Sequence, residues 1–165
     1  MRSSENENGP PVEADLPGLV ARCQADAAML AGLRRIYEEL EGAMVCLPSG
    51  APVCLGGGSC CRFDLSGHRL YLTVGELALL TLCPPPDLDR ARLRRCPYQI
   101  GGRCGAYTRR PLGCRTFFCR NPQNFSLQDL HQQFHRAIAE LHQSRCTPYA
   151  YAELSGTILQ LFVDK

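Results

Sequence analysis

Eleven cysteines stand in this chain of 165 residues, and eight of them fall in two segments rich in Gly and Pro. The first group is Cys46, Cys54, Cys60 and Cys61; the second is Cys96, Cys104, Cys114 and Cys119. Thiolates are soft ligands, and four of them suffice for one tetrahedral zinc ion or one iron–sulfur cubane. Irregular segments suit that chemistry, because backbone there can wrap around an ion instead of following a helix. The odd count excludes complete internal disulfide pairing. The start of the chain, MRSSENENGPPVEAD, lacks the basic stretch and apolar run of a secretory signal. The expectation is therefore a reducing, cytoplasmic setting, where thiols in such number serve metal ligation or redox chemistry, not a disulfide framework.

The spacing narrows the type of site. No C-x2-C occurs, so neither a zinc ribbon nor the bacterial ferredoxin run is present. Cys60 and Cys61 are adjacent, and neighbouring side chains are expected to diverge towards different metals, or one of them to stand behind the ligands. Cys23 and Cys83 fall on or at the end of helical patterns and read as small buried hydrophobes, with Cys146 beside a helix.

Charge is lopsided around the second group. Arg90, Arg92, Arg94, Arg95, Arg103, Arg109, Arg110, Arg115 and Arg120 follow one another with no Asp or Glu between them, although the net charge is only +2. Four thiolates around zinc or an oxidised cubane leave a charge of about −2, which burial makes costly unless cations face it. Arg110 and Arg115 flank the expected ligands, and their guanidinium forks suit sulfur or loop carbonyls. Such cations would lower thiol pKa values and raise a cluster's reduction potential. The stretch 90–120 also reads as a docking face for an acidic protein partner, or as a plain solvated face. Nucleic acid is disfavoured, because no aromatic-interleaved or helix-turn-helix pattern accompanies the charge. The chain holds one Lys against 17 Arg, so a general preference for Arg accounts for part of the excess.

Other chemistry-bearing residues have simpler readings. His131, His135 and His142 share a narrow helical arc beside an apolar stripe, without the H-E-x-x-H pattern of a zinc helix. Phe117 and Phe118 read as an apolar shell that keeps water from the site. Gly56, Gly57 and Gly58 give flexibility to the first cysteine segment, since no Lys-Ser/Thr pair follows to make a phosphate loop.

The elements that must position these groups are mainly helical. Apolar residues from Leu16 to Met44 recur at helical spacing and predict one long amphipathic helix. Residues 45–61 form a loop, and FDLSGHRLYLT predicts two short strands around Ser66-Gly67. Thr73 with Glu76 has the form of a capping box opening a helix that Pro84-Pro85-Pro86 ends. Gly101-Gly102 suits a tight hairpin turn. Helices are expected from Ser126 to about Gln143 and from near Thr147-Pro148 towards Phe162. Residues 1–14 read as a disordered tail and 15–165 as one domain, with a metal-binding core at 46–120 and C-terminal helices at 126–164. The fold class is mainly α with little β: a small helical domain with two irregular cysteine-rich metal-binding loops. No run of apolar residues is long enough to span a membrane.

CLGGGSCCRF, LYLTVGEL and CPYQIGGRCGAYTRRPLGCRTFFC together resemble the YkgJ-type cysteine-cluster family, described as a zinc- or iron-chelating domain. The resemblance covers about residues 46–120. Cys96, Cys104, Arg110-Pro111, Cys114-Arg115 and Cys119 match in order. In the first half, five residues separate Cys54 from Cys60 in place of the family's two. The resemblance implies metal binding by these cysteines and names no reaction. The expected function is an iron–sulfur or iron site with a redox or electron-transfer role, as in a component of an iron–sulfur oxidoreductase. The alternatives are a zinc-stabilised binding module or a metal-handling protein.

Overall fold

A computed structural model describes residues 15–47, 58–117 and 124–163, with side chains from 127 onward in the last segment. Cys54, Phe118, Cys119, Arg120 and the tail 1–14 lie outside the described residues. The elements run α1 (Leu16–Ala25), α2 (Ala27–Val45), α3 (Phe63–Ser66), β1 (Tyr71–Thr73), α4 (Val74–Leu80), α5 (Leu88–Arg92), β2 (Gln99–Ile100), β3 (Arg103–Cys104), α6 (Leu112–Thr116), α7 (Asn124–Ser144), β4 (Tyr151–Glu153) and α8 (Leu154–Val163). The fold is mainly α with little β.

The single helix expected over 16–44 is two. Asp26 divides it: its backbone is extended, and its carboxylate accepts the N–H groups of Ala28 and Met29 at 3.0 Å each. A short acidic side chain that captures nearby N–H groups starts a new helix inside a continuous apolar pattern. The pattern survives because both helices rest on one core, α1 through Leu19, Val20 and Cys23, α2 through Met29, Leu33, Tyr37 and Leu40. Truncating a fully buried Leu33 or Leu40 to Ala removes contacts worth about 2–5 kcal/mol.

The strands expected around Ser66-Gly67 are also corrected. Phe63–Ser66 is helical and ends at Gly67, whose φ of 70° places it in the left-handed region. Only Tyr71–Thr73 is strand, and its partner is the distant β4, antiparallel, with Tyr71 opposite Glu153 and Thr73 opposite Tyr151. Each strand leads straight into a helix, and the junctions are reciprocal: Val74 N–H donates to Ala150 O and Leu154 N–H to Leu70 O, both at 2.9 Å. This pairing engages residues 151–153, so the last helix opens at Leu154 instead of near Thr147.

The Thr73–Glu76 capping box forms as the sequence predicts, with Thr73 Oγ1 accepting Glu76 N–H at 3.3 Å and Glu76 Oε2 accepting Thr73 N–H at 2.8 Å. The buried α4 packs on α1, α2 packs on α7, and α6 packs on α7 beside the β1–β4 pair. Among the described residues, no helix is long and apolar enough to cross a membrane.

Candidate metal centre

Three short pieces of irregular or barely regular chain bring the thiols together. A single 3-10 turn, Ser59–Cys61, carries Cys60 and Cys61. The β2–β3 hairpin follows Cys96 and ends on Cys104, its turn made by Gly101 and Gly102 with φ of 54° and 79°. Two consecutive positive φ values are the requirement of the tight turn that matches strand twist, and glycine meets it without strain. The third piece, α6, carries Cys114.

These pieces meet across the order of the chain. Cys96 N–H donates to Cys61 O at 2.9 Å, which seats the second cysteine segment directly on the first. The Cys61 thiol interacts with both Cys60 and Cys96. The contact with Cys60 favours its thiolate, but the contact with Cys96, burial and the nearby Cys104 outweigh that, and its pKa is pushed up to about 12. Burial raises Cys104 as well, with Cys60 and Cys83 adding to the rise while the Ala106 N–H and the Arg110 guanidinium oppose it. Cys114 is driven strongly upward by burial and then by Cys104, Cys60 and Cys61, again against Arg110. Thiols from both sequence groups thus act on one another: Cys60 and Cys96 on Cys61, Cys104 on Cys61 and Cys114, Cys60 and Cys61 on Cys114, and Cys60 on Cys104. Within the 3-10 turn the Cys60 and Cys61 thiols are in contact, and both act on Cys114. Among the described residues, no three of His, Cys, Asp or Glu form a group drawn close enough to hold an ion as they stand.

The remaining cysteines separate clearly. Cys46 is exposed at the C-cap of α2. Cys23 is a buried core residue, as its place on the apolar stripe predicts, and Cys146 is exposed. Cys83 packs against the core as its sequence reading predicts, but not at the end of a helix. The helix stops at Leu80, so Cys83 lies in the turn before the prolines, where it acts on Cys104 and stands 3.9 Å from Arg109 Nη1. Its position next to Pro84 was the available signal, since a residue there cannot lie in a helix interior. Tyr98 lies between Cys83 and Cys96 with its hydroxyl buried and unpartnered, and burial holds its pKa high.

The arginines are largely engaged inside the fold. Arg115 is only 4% exposed: its Nε donates to Arg110 O at 2.8 Å, its Nη2 to Thr108 O at 2.8 Å, and its Nη1 pairs with Glu41. It stacks over the Tyr37 ring at 4.1 Å, and desolvation lowers its pKa. Arg115 therefore tethers the loop that leads from Cys104 to Cys114 through its carbonyls. Arg110, stacked 3.8 Å over Tyr107, is a cation that acts on Cys104 and Cys114. Arg90, Arg92 and Arg95 pair with Asp87, Asp89 and Asp64, and Arg109 donates to Leu82 O at 2.7 Å. The acids that balance this stretch lie before it in sequence, which is why the run itself reads as unrelieved positive charge.

Phe117 is 49% exposed and its ring leans on His68, so it does not shield the thiols. His131 and His135 stack at 6.0 Å, and one nitrogen of each is held, His131 Nδ1 by Thr116 Oγ1 at 2.8 Å and His135 Nε2 by Tyr149 OH at 2.7 Å. His142 is fully buried, and burial lowers its pKa. Comparison of the chain with family models, with curated proteins and with solved structures returns no match.

Proposed function

We propose that this protein binds a metal through the thiol set Cys60, Cys61, Cys96, Cys104 and Cys114, with Cys54 and Cys119 as further ligands and Cys46 at the margin. The observation that carries the reading is the meeting of five cysteines from three separate segments. Packing thiols together raises the cost of ionising each one, as the upward shifts of Cys61, Cys104 and Cys114 express. A bound cation reverses that cost for all of them at once, and the same neighbours then favour loading. The donor set fits: soft sulfur in a partly buried setting, with the Arg110 guanidinium facing it and the unpartnered Tyr98 hydroxyl able to donate to a thiolate.

An iron–sulfur or iron centre is the favoured occupant, supported by spacing unlike a zinc knuckle and by the resemblance to the YkgJ-type cluster family. When bound, such a centre supplies one-electron redox chemistry. Arg110 would then stabilise negative charge on the thiolates, while Arg115 and the Gly101-Gly102 turn hold the ligand loops in place. Zinc is the alternative, giving a stabilised module that presents the exposed arginines, Arg94 and Arg103 among them, to an acidic protein partner. Metal analysis and an absorption spectrum of anaerobically purified protein decide between them. Brown protein with iron and acid-labile sulfide supports the first reading; colourless protein with stoichiometric zinc selects the second. Protein that takes up neither metal on reconstitution overturns both.

A further inference from the structure

The turn that carries Cys60 and Cys61 also forms one wall of a cleft of about 650 Å³, whose polar lining includes Ser59, Arg62, Arg90, Arg95, Gln99 and the backbone of Gly102. That volume falls within the range of small-molecule sites. Three guanidinium groups face one space, and among the described residues no carboxylate lines it.

The charge is not cancelled by the ion pairs at the margin. Asp64 and Asp87 bring two negative charges against the three positive ones. They also engage only part of each fork. Arg62 uses Nε and Nη2 on Asp64; Arg95 uses Nε alone on the same carboxylate. Arg90 directs Nη1 to Gln99 Oε1 at 3.2 Å and Nε towards Asp87 Oδ2 at 3.3 Å. Each guanidinium carries five N–H donors, so Nη1 of Arg62, Nη2 of Arg90 and both Nη groups of Arg95 keep donors without a protein partner among the described residues.

The walls are held before any ligand arrives. Asp64 joins Arg62 to Arg95, and Cys96 N–H bonds to Cys61 O, so the two halves of the cleft are clamped twice. Gln99, buried, donates from Nε2 to Gly58 O at 3.2 Å while orienting Arg90 through its other atom. Gly58 has φ of 65°, and a Cβ there would collide with Gln99 Nε2 and Gly102 O, so only glycine allows this approach. Leu65 supplies an apolar rim.

We infer that this cleft binds a small organic phosphate monoester. Converging guanidinium forks match the oxygens of a phosphoryl dianion better than a single carboxylate, because several forks can each take an edge. The volume left beyond the phosphoryl group, with Leu65 at its rim, takes an organic remainder. The inference stands on the residues that line the cleft and does not depend on the identity of the metal.

Calorimetric titration of the full-length chain with glycerol phosphate, inorganic phosphate and glycerol tests it. Glycerol phosphate should bind saturably at one site, with a dissociation constant below about 1 mM, and glycerol should not bind. Arg95→Ala should weaken binding by about tenfold or more, because charge-assisted donors are lost, and Arg95→Lys should fall between it and the wild type. Arg92→Ala, which removes an exposed arginine outside the cleft, should bind as the wild type does. Absence of saturable binding by the wild-type chain overturns the proposal, whatever the variants do. Equal losses in Arg92→Ala and Arg95→Ala overturn it too, since they indicate a diffuse field. Binding confined to a long polyanion such as heparin does the same.

Discussion

Glu76 Oε1 accepts the backbone N–H of Leu112 at 2.7 Å, joining the capping residue of α4 to the first residue of the helix that carries Cys114. The same oxygen accepts from Tyr37 OH at 3.1 Å, while Oε2 closes the capping box on Thr73. One carboxylate, 2% exposed, thereby satisfies donors from three elements. A charge so deeply buried is tolerable only because each oxygen faces N–H or O–H dipoles.

Replacing Glu76 with Gln keeps the shape but turns an amide N–H2 towards an N–H donor. The expected loss is about 2 kcal/mol of unfolding free energy, against about 1 kcal/mol for Tyr37→Phe, which removes one donor and leaves the others in place. Urea unfolding monitored by circular dichroism checks both. An unchanged midpoint for Glu76→Gln would show that the carboxylate network carries no stability.

Serine substitutions sort the cysteines. Cys61→Ser, Cys104→Ser and Cys114→Ser should each lower bound metal per chain, measured by elemental analysis after anaerobic purification. Cys23→Ala and Cys146→Ser should leave it unchanged, and so should Cys46→Ser, whose thiol is exposed at a helix end. Retention of full metal by Cys104→Ser and Cys114→Ser together would remove the thiol set as the binding site.

Metal removal should destabilise the region around the cysteines more than the helical core. The hairpin and the 3-10 turn have few backbone bonds of their own, whereas α1, α2, α4 and α7 share a continuous apolar core. Hydrogen exchange before and after chelation should show protection lost around 58–61 and 96–114 and retained over 27–45. Uniform loss across both would mean that the ion organises the whole domain.

Asp26 provides a pH test away from the thiols. Its carboxylate accepts both Arg145 Nε and Nη2, at 2.9 and 3.1 Å, and this ion pair is the main reason its pKa lies below the ordinary 3.8. A depressed carboxylate pKa adds stability above the unfolded value, and the contribution disappears as pH falls through the folded value. Asp26→Asn keeps a good N-cap but loses the charge. The variant should be less stable than the wild type at neutral pH, and the difference should vanish in acid below the folded pKa. A difference independent of pH would assign the effect to capping alone.

Arg94 has φ of 54° and an exposed side chain. Arg94→Gly should raise the unfolding free energy by about 1 kcal/mol, because glycine adopts that region without the Cβ clash. Thermal unfolding of the two proteins decides it, and a lowered midpoint would refute the assignment of strain there.

The features legible in the sequence are those whose partners lie within a few residues. The Thr73–Glu76 box, the paired glycines of the hairpin and the apolar stripes of the helices all follow from local backbone geometry. The Asp26 break was local as well, but the unbroken apolar period concealed it. What only the tertiary structure decided lies between distant segments: Tyr71 beside Glu153, Cys96 seated on Cys61, Cys83 drawn to the thiols, and Glu76 turned towards Leu112. Each depends on which surfaces are buried together, and cysteine spacing alone carries no such information. Residue types therefore suggested soft-donor chemistry, while burial decided which thiols lie near one another.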